Sequence, residues 1–170
     1  MSPESVSRSS PLVVGVLPGQ HPEVLQTAAS LAKSLAVPMI CAYVDEASYL
    51  VEWDPARSAH RLSVHPDTDD DKIREVTQEL RSTIEAACQG LGIDWTLRTL
   101  AGDPARAIGR LAVDSDAGMI IVGTPERGLG HRISAALNGS VAAWLSHHQD
   151  HPILIVPAPV PAHHRPTHGS

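Results

Sequence analysis

Short stretches that are apolar throughout recur along this chain, separated by segments with the apolar spacing of amphipathic helices, and this alternation constrains the fold most. The apolar runs are Leu12–Leu17, Pro38–Val44, Gly118–Val122 and Pro152–Val156. Without polar alternation they suit strands covered on both faces, as in a parallel sheet. Ile93–Leu100 (IDWTLRTL) alternates instead and reads as a strand with one face less covered, at a sheet edge. Between the runs lie helical stripes: Val24, Leu25, Ala28, Leu31, Ala32 and Leu35; then Ile73, Val76, Leu80, Ile84, Ala87 and Leu91. Ala105–Val113, with Ile108 and Leu111 inward, and Val141, Ala142, Trp144 and Leu145 supply two shorter helices. The order β-α-β-α-β-α-β-α-β predicts a single-domain, three-layer α/β/α fold, with a parallel sheet joined by right-handed crossovers.

Capping chemistry supports these boundaries. Pro22 suits a first helical turn, and Asp103-Pro104 is an N-cap followed by a first-turn proline. Thr68 and Asp71 read as a capping box, the acidic run Asp69–Asp71 favours a helix N-terminus, and Gly90 falls near the helix end. The last helix starts near Gly139–Ser140. The body spans residues 11–157. Residues 1–10, which are Ser-rich, and 158–170, rich in Pro and His, lack the apolar area to offset their ordering entropy and are expected to be flexible. Asp45 to Pro66 is a long connection of the kind that serves a function or moves.

Composition excludes several classes. A formal charge of −6, no Phe and few aromatics (Tyr43, Tyr49, Trp53, Trp95, Trp144) argue against nucleic-acid binding. The longest uncharged apolar run, Ala36–Val44, is about half a membrane span and contains Pro38. The N-terminal MSPESVSRSS has no signal-peptide core, so a cytoplasmic protein without a membrane partner is expected. Cys41 and Cys88 make neither a disulfide framework nor a zinc set and read as small buried hydrophobes.

In an open parallel sheet, ligands sit beyond the carboxyl ends of the strands, where strand order reverses. The most informative loop there is GTPERGLGHRISAALN, from Gly123 to Asn138, which runs into Gly139-Ser140 at a helix start. Its glycines, the N–H groups of that helix, the Ser140 hydroxyl and Arg127, His131 and Arg132 are the makings of a phosphate cradle. A flexible glycine loop with a Ser N-cap is the alternative. Leu129 stands where a Walker A motif needs Lys, Gly128-Leu129-Gly130 lacks the third glycine of the dinucleotide fingerprint, and no G-x-S-x-G elbow exists. His147, His148, Asp150 and His151 are close enough to share a metal, or else complement a helix C-terminus; no metal site is expected. Asp45-Glu46 either reach a ligand or cap the loop, and Trp144 packs on the sheet or a partner. No Ser-His-Asp or Cys-His set can be assembled, and no enzyme is expected.

A strand ending in VGT, the glycine loop, NGSVAAWL and a final PILIVP together resemble the universal stress proteins, as do VVGVLPGQHPEVLQTAASLAKSLAVP and AGDPARAIGRLA. The resemblance covers residues 11–157. It implies the adenine nucleotide alpha hydrolase-like fold, a five-stranded parallel sheet in the order 3-2-1-4-5, and a homodimer formed through the last strand. It also implies binding of ATP, with Mg²⁺, in a stress response carried by conformation or partners. Carried onto this chain, the nucleotide contacts fall at Gly123, Thr124, Gly128, Gly130, Gly139, Ser140 and Val141 for the phosphates, and at the strand-two backbone of Tyr43 and Val44 for the adenine. Two positions depart from the family pattern. The loop from Gly123 to Gly139 is three residues longer than G-x2-G-x9-G, and Leu17-Pro18-Gly19 stands where binding members carry a ribose Asp. A homodimeric interaction module with a degraded nucleotide site is therefore the alternative.

Overall fold

The computed structural model of the chain describes residues 10–45, 66–124 and 140–158. Residues 1–9, 46–65, 125–139 and 159–170 lie outside the described residues, and with them most of both expected flexible ends, the long connection after the second strand and nearly all of the glycine loop.

The elements follow the expected alternation: β1 (Leu12–Gly15), α1 (Glu23–Leu35), β2 (Met39–Asp45), α2 (Pro66–Cys88), β3 (Trp95–Ala101), α3 (Pro104–Asp114), β4 (Met119–Gly123), α4 (Ser140–His148) and β5 (Ile153–Val156). The strands form one sheet in the order β3-β2-β1-β4-β5, with every neighbouring pair parallel. β1 is central, and the order reverses between β1 and β4.

Burial shows why the runs became strands. Successive side chains of a strand face opposite ways. Leu12, Val14 and Val16 pack with Val24, Leu25, Ala28, Ala29 and Ala32 of α1 and with Leu80 and Ile84 of α2. Val13 and Ala42 pack on the other face with Ile108 and Leu111 of α3 and Val141, Ala142 and Leu145 of α4. An inner strand covered by helices on both sides has no wet face, so its sequence has no polar alternation. β3, at the edge, keeps Thr96, Arg98 and Thr99 exposed while Trp95 and Leu97 lean on the α2 layer. The Arg81 guanidinium of α2 lies 5.9 Å from the Trp95 ring centroid, its charge over the ring face.

Local chemistry sets the helix ends. The Asp103 carboxylate accepts from the Arg106 N–H at 2.9 Å and Pro104 occupies the first turn of α3, as expected. α1 begins one residue later than Pro22, which takes the N-cap position with helical dihedrals. The expected capping box at Thr68 and Asp71 is not the start of α2. That helix begins at Pro66, whose fixed φ suits a first position and whose missing N–H costs nothing there, so Thr68 lies inside the first turn. β3 opens at Trp95 rather than Ile93, after a turn in which Gly90 and Gly92 take φ of +73° and +65°.

Cys41 of β2 and Cys88 of α2 are free thiols in the same core layer. Burial pushes the Cys41 thiol from 9.0 up to about 12, and the nearby Cys88 adds to the rise; burial raises Cys88 as well. A thiol raised this way stays protonated and unreactive. Unfolded, Cys41 would lose its proton near 9.0, whereas folded it keeps it to about 12. The folded state therefore holds the extra proton between those values, and the stability it confers, complete below the lower one, drains away as pH rises through the upper. Urea unfolding from about pH 8 to about pH 11 should show a fall in stability that is shallower in Cys41→Ala. Equal pH slopes in the two proteins would contradict the assignment.

Candidate functional site

The reversal between β1 and β4 opens a cleft at the carboxyl ends of the strands. Its walls are Gly15, Val16, Leu17 and Gln20 from β1 and the turn after it, Ala42 and Val44 from β2, Ile108 from α3, Val122 and Gly123 from β4, and Val141 from α4. It lies at the strand ends, with Ala42, Val44, Ile108, Val122 and Val141 from the α3/α4 layer and Val16 from the α1/α2 layer.

Gly15 leaves room at the walls of the cleft, and Gly123 lets α1 and Gln20 approach the end of β4 closely. A Cβ on Gly123 would come within 2.8 Å of Val24 Cγ2 and 3.1 Å of Gln20 Nε2; one on Gly15 would come within 3.3 Å of Ile108 Cδ1. Val141, second residue of α4, brings the start of that helix to the cleft. The first N–H groups of a helix have no intrahelical acceptor and carry the positive end of its dipole, so anionic oxygen is favoured there.

The cavity is small, about 20 Å³, which is room for one water molecule. The amides at the strand ends are already engaged. Val16 N–H donates to Ala42 O at 2.9 Å, Thr124 N–H to Val156 O at 3.0 Å, and Leu17 N–H to the Gln20 side-chain oxygen at 3.4 Å. The start of α4 brings further N–H donors to the cleft.

The sequence-predicted residues separate into three groups. Val44, Gly123 and Val141 come together at the cleft. Tyr43 does not line it: one position from Val44 along the strand, it turns its ring to the α1/α2 layer. Thr124 serves structure, its hydroxyl accepting from the Ala158 N–H at 2.7 Å and tying the end of β4 to the chain beyond β5. Gly128, Gly130 and Gly139 lie outside the described residues, and Ser140 is described only as the first residue of α4.

Other candidates resolve differently. Asp45 lines a separate, larger cleft of about 280 Å³ beside edge strand β3, with Arg98, Thr99, Arg110 and Asp114, and is absent from the walls of the β1/β4 cleft; Glu46 lies outside the described residues. His148 stacks on Trp144 with ring centroids 4.3 Å apart, and its Nδ1 sits 2.9 Å from the Trp144 carbonyl oxygen. Trp144 also packs against the α3/α4 layer. No group of three or more His, Cys, Asp or Glu is placed to hold a metal among the described residues. Sequence reasoning missed Gln20, whose carboxamide stands at the mouth of the cleft. No helix among the described residues is long and apolar enough to cross a membrane.

Comparison with known proteins agrees with this fold. The family model described as "Universal stress protein family" matches residues 10–157. The universal stress protein from Archaeoglobus fulgidus in complex with dAMP superposes with a TM-score of 0.61 at 20% identity, over 88% of this chain and 98% of that one. A universal stress protein in complex with cAMP gives 0.58 at 22% identity, over 90% and 100%. A universal stress protein family protein from Arabidopsis thaliana with AMP bound gives 0.54 at 14% identity, over 89% and 93%. No curated protein sequence matches.

Proposed function

The chain belongs to the universal stress protein family, and on that footing we propose that it is a non-catalytic, cytoplasmic adenine-nucleotide binder that acts in stress response through its conformation or a partner. The observation that carries this reading is the cleft at the β1/β4 reversal, with Gly15 and Gly123 at its strand ends and the start of α4 beside it. ATP is the expected ligand. Its phosphates would lie against backbone amides from Gly123, through Gly128, Gly130 and Gly139, to Ser140 and Val141, beside Thr124 whose own N–H is held by Val156 O, and its base beside the Tyr43–Val44 backbone. No carboxylate lines the cleft among the described residues, so phosphate oxygens and water would hold any Mg²⁺.

Calorimetry and thermal unfolding with millimolar ATP, with and without Mg²⁺, test the reading. Saturation at a hundredfold excess over Kd would stabilise the fold by about 2.7 kcal/mol. No heat and no shift would leave the second reading, a homodimeric interaction module with a degraded site, which the water-sized cavity favours.

A homodimer through the last strand is part of both readings. Among the described residues β5 is an edge strand paired only with β4, and its Ile155 is 46% exposed. A free edge with an apolar side chain invites a second copy. Sedimentation should give about twice the 18.1 kDa chain mass, and Ile155→Lys should shift the protein to the single-chain mass. A wild-type protein sedimenting at 18.1 kDa would contradict the dimer.

A further inference from the structure

Gln20 lies in the turn between β1 and α1, where its N–H donates to Leu17 O at 3.2 Å and Gly19 takes a φ of +68°. Its side chain reaches back to the end of β1: Oε1 accepts from the Leu17 N–H and Nε2 donates to Gly15 O, each at 3.4 Å. The same Nε2 lies 3.1 Å from the Cβ position of Gly123, on the neighbouring strand β4. The carboxamide thus spans the reversal point, tying up one donor and one acceptor that line the cleft. Both bonds exceed the usual 2.7–3.2 Å of an N–H···O bond, so the hold is weak and reversible.

We propose that the Gln20 carboxamide is the cleft's own occupant, which a nucleotide must displace, and that it thereby sets the affinity of this site. The proposal rests on the nucleotide reading above. Only with Gln20 swung out do the Leu17 N–H, the Gly15 carbonyl and the space over Gly123 become available to a ligand. Apparent affinity is then the intrinsic affinity scaled by the fraction of molecules with the carboxamide out. An open fraction of about one in five to one in ten weakens binding by about five- to tenfold. The plug is neutral, so its competition with the ligand does not vary with pH near neutrality.

The test is titration of wild type, Gln20→Ala and Gln20→Asn with ATP and Mg²⁺, read by calorimetry. Gln20→Ala should bind about five- to tenfold more tightly than wild type. Gln20→Asn keeps the amide on a side chain one methylene shorter, too short to span the cleft, and should also bind more tightly. In wild type, the Gln20 side-chain amide resonance should move on addition of ATP. Binding by the variants alone would support both the plug and the nucleotide reading. Equal or weaker binding in Gln20→Ala beside a wild type that binds would overturn the plug and leave the nucleotide reading standing. Binding by none of the three would remove both.

Discussion

Leu145→Ala should lower the unfolding free energy by about 2–5 kcal/mol and weaken nucleotide binding in the same variant. Leu145 is fully buried in the layer shared by α3, α4 and the sheet, beside Ile108, Leu111 and Ile120. α3 meets it with Gly109, where an added Cβ would lie 3.5 Å from Leu145 Cδ2, ordinary van der Waals contact, so the two helices pack closely at this point. Truncation leaves a cavity beneath the sheet, whose cost adds to the lost transfer energy. Because α4 also brings Val141 to the cleft, a loosened α4 presents its N-terminus less firmly to an anion. Urea unfolding with an unchanged m-value measures the first effect. Val113→Ala, on the 60% exposed side of α3, should stay within about 0.5 kcal/mol of wild type. A Leu145→Ala loss no larger than that control would mean that α4 is not held by this contact.

Gly123→Val should abolish detectable ATP binding and destabilise the fold by about 1–3 kcal/mol. Even a single Cβ at this position would stand 2.8 Å from Val24 Cγ2, a buried methyl of α1 with no room to retreat, and 3.1 Å from the Gln20 amide. A valine adds two methyls to that overlap, at the strand end where the nucleotide is expected. The cost is steric rather than conformational, since Gly123 is not among the glycines with positive φ. Calorimetry with ATP reads the first effect and thermal unfolding the second. Wild-type affinity in Gly123→Val would place the ligand elsewhere.

The sequence made some of this legible and concealed the rest for physical reasons. Strands buried on both faces announce themselves, because a residue such as Val13 or Val14 can only be apolar where helices cover both sides. Asp103-Pro104 was readable because a cap is a contact across three residues. The start of α2 was not, since Pro66 and the Thr68–Asp71 segment both carry initiation chemistry and the earlier one prevailed. Strand alternation places Tyr43 and Val44 on opposite faces, so only one of them could turn its side chain to the cleft. Thr124 bonds across 34 residues to Ala158, and Gln20 reaches the end of β4, more than a hundred positions further on. Such contacts exist only after the sheet has formed, and no local pattern marks them.

The central claim is that a nucleotide enters at the β1/β4 reversal, and backbone amide NMR during titration with ATP and Mg²⁺ tests it most directly. A nucleotide bound there should give saturable shifts centred on Gly15, Leu17, Val44, Gly123 and Val141. Shifts centred on Arg98 and Arg110 beside β3, or unmoved resonances at millimolar ATP, would contradict it.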